Sequence, residues 1–258
     1  MQKHNPKRLY REEQSQKMKY ATNMEYVIEH NNAGVKHICD GRVKEAKKAF
    51  KAALVRLAVF HERQRDDEDA IISCDCNQES ACDSPIKIET CCLPDSSSPC
   101  SPSHVFYMYR NALIVHFDLK SQCDATTEVK MAFCLAAVIS FNLTLTLHYK
   151  LEMINESGDS GQEEVKNRRV LLFYKKVWKA LQIDTQVSPM HQSYRDIMSS
   201  AVMNNMGIIF CVLTKFQKAR YCFESLKRVS PDFVKGVTTN LCLLEDHLNI
   251  KLLSTLVI

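Results

Sequence analysis

The spacing of apolar and polar residues near the N-terminus predicts a pair of helices. Apolar residues recur at steps of three and four from Met24 to Ile38, and a second stripe from Val43 to Ala58 has lysines on its opposite side. This period places the apolar side chains on one face of each helix. Gly41 lies between the stripes, where a left-handed helix end is expected. Residues 23–62 therefore form the first predicted helix pair. A polar N-terminus over 1–22 precedes it and is expected to be flexible, either frayed or loosely helical.

The next part of the chain loses the helical period. Residues 63–104 pass from a charged run into a stretch rich in cysteine, serine and proline, which predicts a disordered linker. After it, Val105 to Phe117 is rich in aromatic and β-branched residues that partly alternate with polar ones. This composition predicts a short extended segment or hairpin, laid across helices rather than built into a large sheet.

Helical patterns return in the C-terminal half. A long apolar run from Met131 to Leu147 and a stripe from Val170 to Leu181 predict a second pair. A third pair is predicted to turn at Thr214-Lys215, and 233–253 is predicted to be a closing helix. The predicted fold class is therefore all-α, and residues 105–258 are expected to pack with the first pair as one domain.

The apolar run is long enough to raise the question of a membrane span. No charge occurs between Lys130 and Lys150, and such a length could cross a bilayer. Polar residues within the run, among them Asn142 and His148, and the lack of aromatic belts at its ends favour a helix buried in protein. No membrane contact is predicted.

One spacing occurs at both ends of the chain. In each copy a glycine is followed by an alanine twelve residues later and a phenylalanine sixteen residues later. The two sets are Gly34, Ala46 and Phe50, and Gly207, Ala219 and Phe223. Two separated segments with the same offsets indicate copies of one structural unit. A helical bundle without repeats is the alternative, since any helix pair favours small and aromatic residues at such positions.

The copies resemble tetratricopeptide repeats, whose first helix carries an Asn-apolar-Gly triplet. The triplets here are Asn32-Ala33-Gly34 and Asn205-Met206-Gly207, and a degenerate copy is Asn142-Leu143-Thr144 with a turn longer by fourteen residues. Thr144 replaces the glycine, and the early tryptophan of the family is absent. The resemblance implies a short superhelix of antiparallel helix pairs that binds a protein or peptide. The arrangement is also similar to a group of repeat-like proteins of diatoms, which implies no function.

The resemblance also supplies candidate partner-binding residues. The family often presents the asparagine of the triplet to a ligand groove, which suggests the triplet asparagines and their neighbours. They are Asn31, Asn32, Asn142, Asn204 and Asn205. The alternative is that these side chains satisfy backbone groups between helices. A family variant that grips a terminal carboxylate needs cations at positions that here include Ile28 and Val35, so any groove is expected to be apolar or mixed.

The twelve cysteines are predicted to be free thiols in a cytoplasmic, or alternatively nuclear, protein, because the charged N-terminus lacks a secretory signal. Six of them lie in the linker near His104: Cys74, Cys76, Cys82, Cys91, Cys92 and Cys100. They support an alternative function, a thiol- or zinc-dependent regulatory protein. Their spacing lacks the repeated Cys-x-x-Cys of zinc sites, so no metal and no cofactor is predicted.

Charge and motifs narrow the function further. The formal net charge of +4 arises from 34 basic and 30 acidic residues, which is too balanced to indicate nucleic-acid binding. No phosphate-binding glycine loop, His-Glu-x-x-His or Gly-x-Ser-x-Gly occurs. The sequence therefore predicts a non-enzymatic scaffold that binds a protein or peptide, with no small-molecule substrate.

Overall fold

Helices dominate the structure, as the sequence predicts. The computed structural model describes residues 6–68, 86–93, 108–117, 125–155, 160–183, 192–226 and 240–245. The helices are α1 (Pro6–Cys39), α2 (Val43–Glu68), α3 (Ala125–Asn155), α4 (Ser160–Ile183), α5 (Gln192–Val212) and α6 (Phe216–Leu226). Residues 240–245 are also helical, within the predicted closing helix. Two strands, β1 (Ile86–Cys92) and β2 (Asn111–Phe117), form a small antiparallel sheet.

Each helix packs against the next one in the chain, from α1 to α6. The contact between α2 and α3 joins the first pair to the C-terminal helices, and one apolar core runs through all of them. Helices α1 and α3, each the first of its pair, also contact each other, and both contact β2. The strand therefore lies across the first helices, as predicted for the segment that ends at Phe117.

The repeated glycine and phenylalanine meet in both copies. A Cβ added to Gly34 would lie 2.6 Å from Cε1 of Phe50, and one added to Gly207 would lie 2.5 Å from Cε1 of Phe223. Both phenylalanine rings are fully buried. The recurring spacing thus has one physical cause, a ring that packs directly on the backbone of the preceding helix.

The turns inside the two pairs also share one geometry. Arg42 N–H donates to the carbonyl of His37, and Lys215 N–H donates to that of Phe210. The residue before each donor adopts a left-handed backbone conformation, with φ of 72° at Gly41 and 55° at Thr214. These bonds satisfy carbonyls in the last turns of α1 and α5, so both helices end in the same C-capping motif. The predicted turns at both places are confirmed.

The predicted disordered linker needs correction. Within 63–104, α2 continues to Glu68 and β1 occupies Ile86–Cys92, where Ile88 pairs with Val115 and Thr90 with Leu113. The remainder of the linker lies outside the described residues. The short run IKIETCCL alternates as a strand should, but it is too brief to stand out beside the cysteines and serines. It is stabilised because it pairs with β2 and the hairpin packs against α1.

The predicted flexible N-terminus is helical from Pro6 onward, because α1 extends back well beyond Met24. Residues 6–22 contain no glycine and many strong helix formers, so they continue the helix without an apolar stripe. Tyr20 and Met24 are already buried.

The long apolar run forms the central helix of the core. By length and composition, the stretch Met131–Glu152 could span a membrane. However, 78% of its most apolar part is buried within the fold. Leu135, Ile139 and Phe141 are at most 1% exposed. Such burial is typical of a core helix.

Candidate functional site: an asparagine-lined groove

The five predicted asparagines lie on three helices that face one extended segment. Helix α1 carries Asn31 and Asn32, α3 carries Asn142, and α5 carries Asn204 and Asn205. Asn32 is partly buried and the other four are at most 1% exposed. Residues 108–117, which we call the groove segment, lie against these side chains and end in β2. The structure therefore buries all five predicted residues, fully or in part, along one extended segment.

Asn32 holds both backbone groups of one residue of the groove segment. The N–H of Val115 donates to Oδ1 of Asn32 at 2.9 Å, and Nδ2 of Asn32 donates to the Val115 carbonyl at 2.7 Å. Both distances are those of good hydrogen bonds. A planar amide that donates and accepts in this way matches the edge of a β-strand, so one side chain replaces a neighbouring strand at this residue.

The same contact recurs on α3 and α5, the first helices of the other two pairs. Asn142 accepts from Leu113 N–H at 2.9 Å and donates to its carbonyl at 2.8 Å. Asn205 accepts from Tyr109 N–H at 2.9 Å and donates to its carbonyl at 3.1 Å. Residues 109, 113 and 115 present their backbone groups to one side of an extended chain, because successive residues alternate. The three asparagines therefore act as three clamps on one edge of the groove segment.

The neighbouring asparagines complete the network. Nδ2 of Asn31 donates to the Leu113 carbonyl at 3.0 Å, and its Oδ1 accepts from Asn142 at 2.9 Å. At the other end, Asn204 donates to Asn205 at 3.2 Å and accepts from Asn240 at 2.9 Å. Since unpaired buried amides are costly, these bonds fix the orientation of the clamping side chains.

A buried tyrosine and histidine support the Asn205 clamp. Asn205 donates its second amide hydrogen to the Tyr174 hydroxyl at 3.0 Å, and that hydroxyl lies 3.3 Å from Nδ1 of His148. Burial lowers the pKa of His148 to about 3, and the nearby Arg110 charge contributes in the same direction. Burial also raises the pKa of Tyr174. Both groups are therefore neutral at neutral pH, and the Tyr174 hydroxyl can donate to Nδ1.

An ion pair holds the N-terminal part of the groove segment. The Arg110 guanidinium lies 3.0 Å from a carboxylate oxygen of Glu152 on α3, and both side chains are about one-fifth exposed. Burial raises the pKa of Glu152, while the charge and hydrogen bond of Arg110 lower it. The groove thus offers a partly buried carboxylate to a basic residue next to the Asn205 clamp.

Apolar side chains of the groove segment are buried as well. Leu113 is 2% exposed and Val115 is fully buried, whereas His116 faces solvent and pairs with Glu89 of β1. The clamps bind backbone groups that every residue except proline possesses. Selectivity for a sequence must therefore come from the buried apolar positions and from the site of Arg110.

The sequence singles out the five asparagines but not the backbone groups that they bind in the structure. The triplet spacing identified the asparagines, and the pattern before Phe117 identified an extended segment, yet nothing in either pattern linked the two. Arg110, Glu152 and Tyr174 were missed. A partial signal exists in the isolated arginine within an apolar, strand-like run, which indicates a buried or partly buried partner.

Two of the six linker cysteines lie in the part of the chain that the structure describes. Cys91 and Cys92 lie in β1, while Cys74, Cys76, Cys82, Cys100 and His104 lie outside the described residues. Within the part of the chain that the structure describes, no cluster of three or more histidine, cysteine or acidic side chains could hold a metal ion.

No protein-family model, curated protein or solved structure matches the chain.

Proposed function

We propose that this chain is a non-enzymatic scaffold of tetratricopeptide-repeat type that binds an extended segment of a partner protein. The single observation behind this proposal is the set of three asparagine clamps, which hold Tyr109, Leu113 and Val115 by their backbone groups. The matching Gly-Phe packing in the first and last helix pairs supports the repeat assignment. The groove segment occupies the groove in the absence of the partner.

The groove segment also indicates what a partner peptide should contain. It has a basic residue at Arg110 and buried apolar residues three and five positions later, at Leu113 and Val115. A competing peptide with this pattern would regain the Glu152 ion pair and the apolar contacts. Backbone clamps with pockets for alternate side chains are a general way to bind extended peptides.

Competition with the groove segment sets the affinity of the partner. A tethered segment acts at an effective concentration on the order of millimolar. A peptide with the same contacts would bind the wild-type chain weakly, because only the fraction of molecules with an open groove is competent. Weakening the hold on the groove segment should therefore increase the affinity for an added peptide.

A binding titration with an opened groove tests the proposal. In the full-length L113D/V115D variant, two carboxylates would have to occupy buried positions, so the groove segment should leave. We expect a fluorescent peptide with the sequence of residues 108–117 to bind this variant on the order of a hundredfold more tightly than wild type. The matched control H116N changes an exposed residue of the segment and should bind like wild type.

Removing the clamps distinguishes the groove from other surfaces. Adding N32L and N142L to the opened variant should abolish binding, because the peptide backbone loses two of its three partners. Far-UV circular dichroism shows whether each variant keeps its helices. If a helical opened variant fails to bind the peptide, or binds it equally well without the two asparagines, the proposed function is wrong.

A further inference from the structure

Two thiols meet where the hairpin contacts the end of α1. Cys39 is the last residue of α1 and Cys91 lies in β1, 52 positions further along the chain. Their sulfur atoms are 3.2 Å apart, and both residues are partly buried. A disulfide bond is about 2.05 Å long, so the sulfurs need to approach by only about 1 Å.

The positions of the two cysteines connect the pair to the groove. Cys91 lies directly opposite Ala112 of β2 in the strand register, and α1 carries the Asn32 clamp. The hairpin is continued beyond β1 by a hydrogen bond from Leu93 N–H to the Arg110 carbonyl at 2.9 Å. A bond between Cys39 and Cys91 would therefore attach the strand beside the groove segment to the helix that holds it.

We propose that Cys39 and Cys91 are a redox modification site whose disulfide retains the groove segment in the groove. Formation of the bond is independent of the proposed function, whereas its effect on a partner depends on it. The oxidant is a peroxide. Oxidation and reduction of this pair would then switch the groove between a closed state and one in which the segment can exchange.

The chemistry proceeds in two balanced steps. Hydrogen peroxide transfers one oxygen atom to the Cys91 sulfur, which gives a sulfenic acid and one water. The Cys39 sulfur then attacks the Cys91 sulfur and displaces hydroxide, which takes the Cys39 proton and leaves as a second water. The two thiols lose two electrons and two protons in total, and the peroxide is reduced to two waters.

The environment of Cys39 assigns the order of these steps. Burial raises the pKa of Cys39 to about 12, and its hydrogen bond to Cys91 adds to the shift. Cys39 is therefore a thiol at neutral pH and reacts poorly with peroxide. Cys91, the other sulfur of the pair, therefore reacts first.

Peptide mapping tests whether the bond forms. In a full-length C92S/C100S variant, the tryptic peptides 37–42 and 88–110 contain Cys39 and Cys91 as their only cysteines. After peroxide treatment and alkylation, mass spectrometry should find these peptides linked, with two hydrogens fewer than their sum. The link should disappear after reduction and when C39S is added, but should persist when the exposed Cys242 is replaced by serine. If Cys91 remains a thiol and is alkylated, or forms a disulfide with another cysteine, the proposal is wrong.

Hydrogen exchange tests the effect on the groove. The amides of Leu113 and Val115 donate to the clamps, so they exchange when the groove segment leaves. Because the disulfide restricts that opening, we expect exchange in the oxidised protein to slow on the order of tenfold or more. Equal exchange rates in linked and reduced protein would overturn the proposed retention. Slower exchange in a protein that never binds the added peptide would support this site and contradict only the proposed function.

Discussion

At the scale of single residues, the two helix-ending turns provide a direct comparison. Gly41 and Thr214 occupy the same left-handed position, but threonine has a branched side chain that disfavours it. We expect T214G to stabilise the fold by about 1 kcal/mol, and the reciprocal G41T to destabilise it by a similar amount. An added Cβ at Gly41 meets no atom within 4 Å, so crowding does not contribute. Urea denaturation measures both, and a loss of stability in T214G would contradict the assignment.

At Gly207, where a buried ring packs on the helix, crowding should outweigh the backbone preference for a residue other than glycine. Helix propensity alone predicts that G207A stabilises α5 by about 1 kcal/mol. The new methyl group would lie 2.5 Å from the buried Phe223 ring, so we expect a net loss of about 1–3 kcal/mol. G34A should behave alike against Phe50.

A double-mutant cycle with F223L checks that crowding is the cause of the loss. The smaller side chain should reduce the penalty of G207A, giving a coupling energy of about 1 kcal/mol. A gain of stability in G207A alone would show that the ring does not pack on this helix.

His148 makes stability depend on pH. Its pKa is lowered to about 3 in the fold, whereas an unfolded histidine titrates near its ordinary value of 6.5. The unfolded state therefore binds more protons in this range, and stability falls as pH drops below about 6.5. Between about pH 7.5 and about pH 5 the loss assigned to His148 is about 2 kcal/mol.

The H148Q variant isolates this loss, since glutamine does not titrate. Glu152, whose pKa is shifted upward, changes stability in the opposite direction, but it is common to both proteins and cancels in the difference. Urea denaturation at both pH values should show that wild type loses about 2 kcal/mol more than H148Q. Equal losses would mean that His148 is not buried as a neutral side chain.

At the scale of elements, α3 depends on the groove segment through Asn142. In N142L the Leu113 N–H and the Oδ1 of Asn31 would both lose a buried partner. We expect a loss of about 3 kcal/mol in urea denaturation. The control is S200A, which removes a buried hydroxyl that has no partner among the described residues and should change stability by less than about 0.5 kcal/mol. A neutral N142L would argue against the clamp.

The helices could be predicted from the sequence, whereas the hairpin could be predicted only in part. Apolar stripes such as the one from Val43 to Ala58 repeat over many residues, so their period is clear. The signal for β1 covers seven residues, and the strand depends on β2, which is about twenty residues away. Long-range pairing of this kind leaves little trace in a short window of sequence. The linker prediction missed β1 for this reason.

The candidate site shows the same limit. Asn32, Asn142 and Asn205 could be predicted because the Asn-apolar-Gly triplet and its degenerate copy mark corresponding positions, which lie on α1, α3 and α5. Their contact with Val115, Leu113 and Tyr109 could not, because a backbone N–H or carbonyl is present at every residue and carries no sequence signal. The contact of Cys39 with Cys91 also follows from the path of the hairpin and not from cysteine spacing.

At the scale of the whole molecule, the chain supplies both a helical scaffold and the extended segment that lies across it. The scaffold is one series of helices packed in sequence order, and the segment spans α1, α3 and α5 through its clamps. The proposed scaffold function requires that this segment can be exchanged. The same contacts in a permanently closed molecule would serve stability alone.

The most direct measurement compares two N-methylated peptides for binding to the opened L113D/V115D variant. Methylation at the positions of Leu113 and Val115 removes two N–H groups that donate to the clamps. Methylation at the positions of Ala112 and Ile114 instead removes two N–H groups on the opposite edge, which faces β1, and leaves the clamped edge intact. Both peptides carry the same number of methyl groups. We expect the peptide methylated at the positions of Leu113 and Val115 to bind on the order of a hundredfold more weakly than the other. Equal affinities would contradict recognition of an extended backbone by the asparagine clamps.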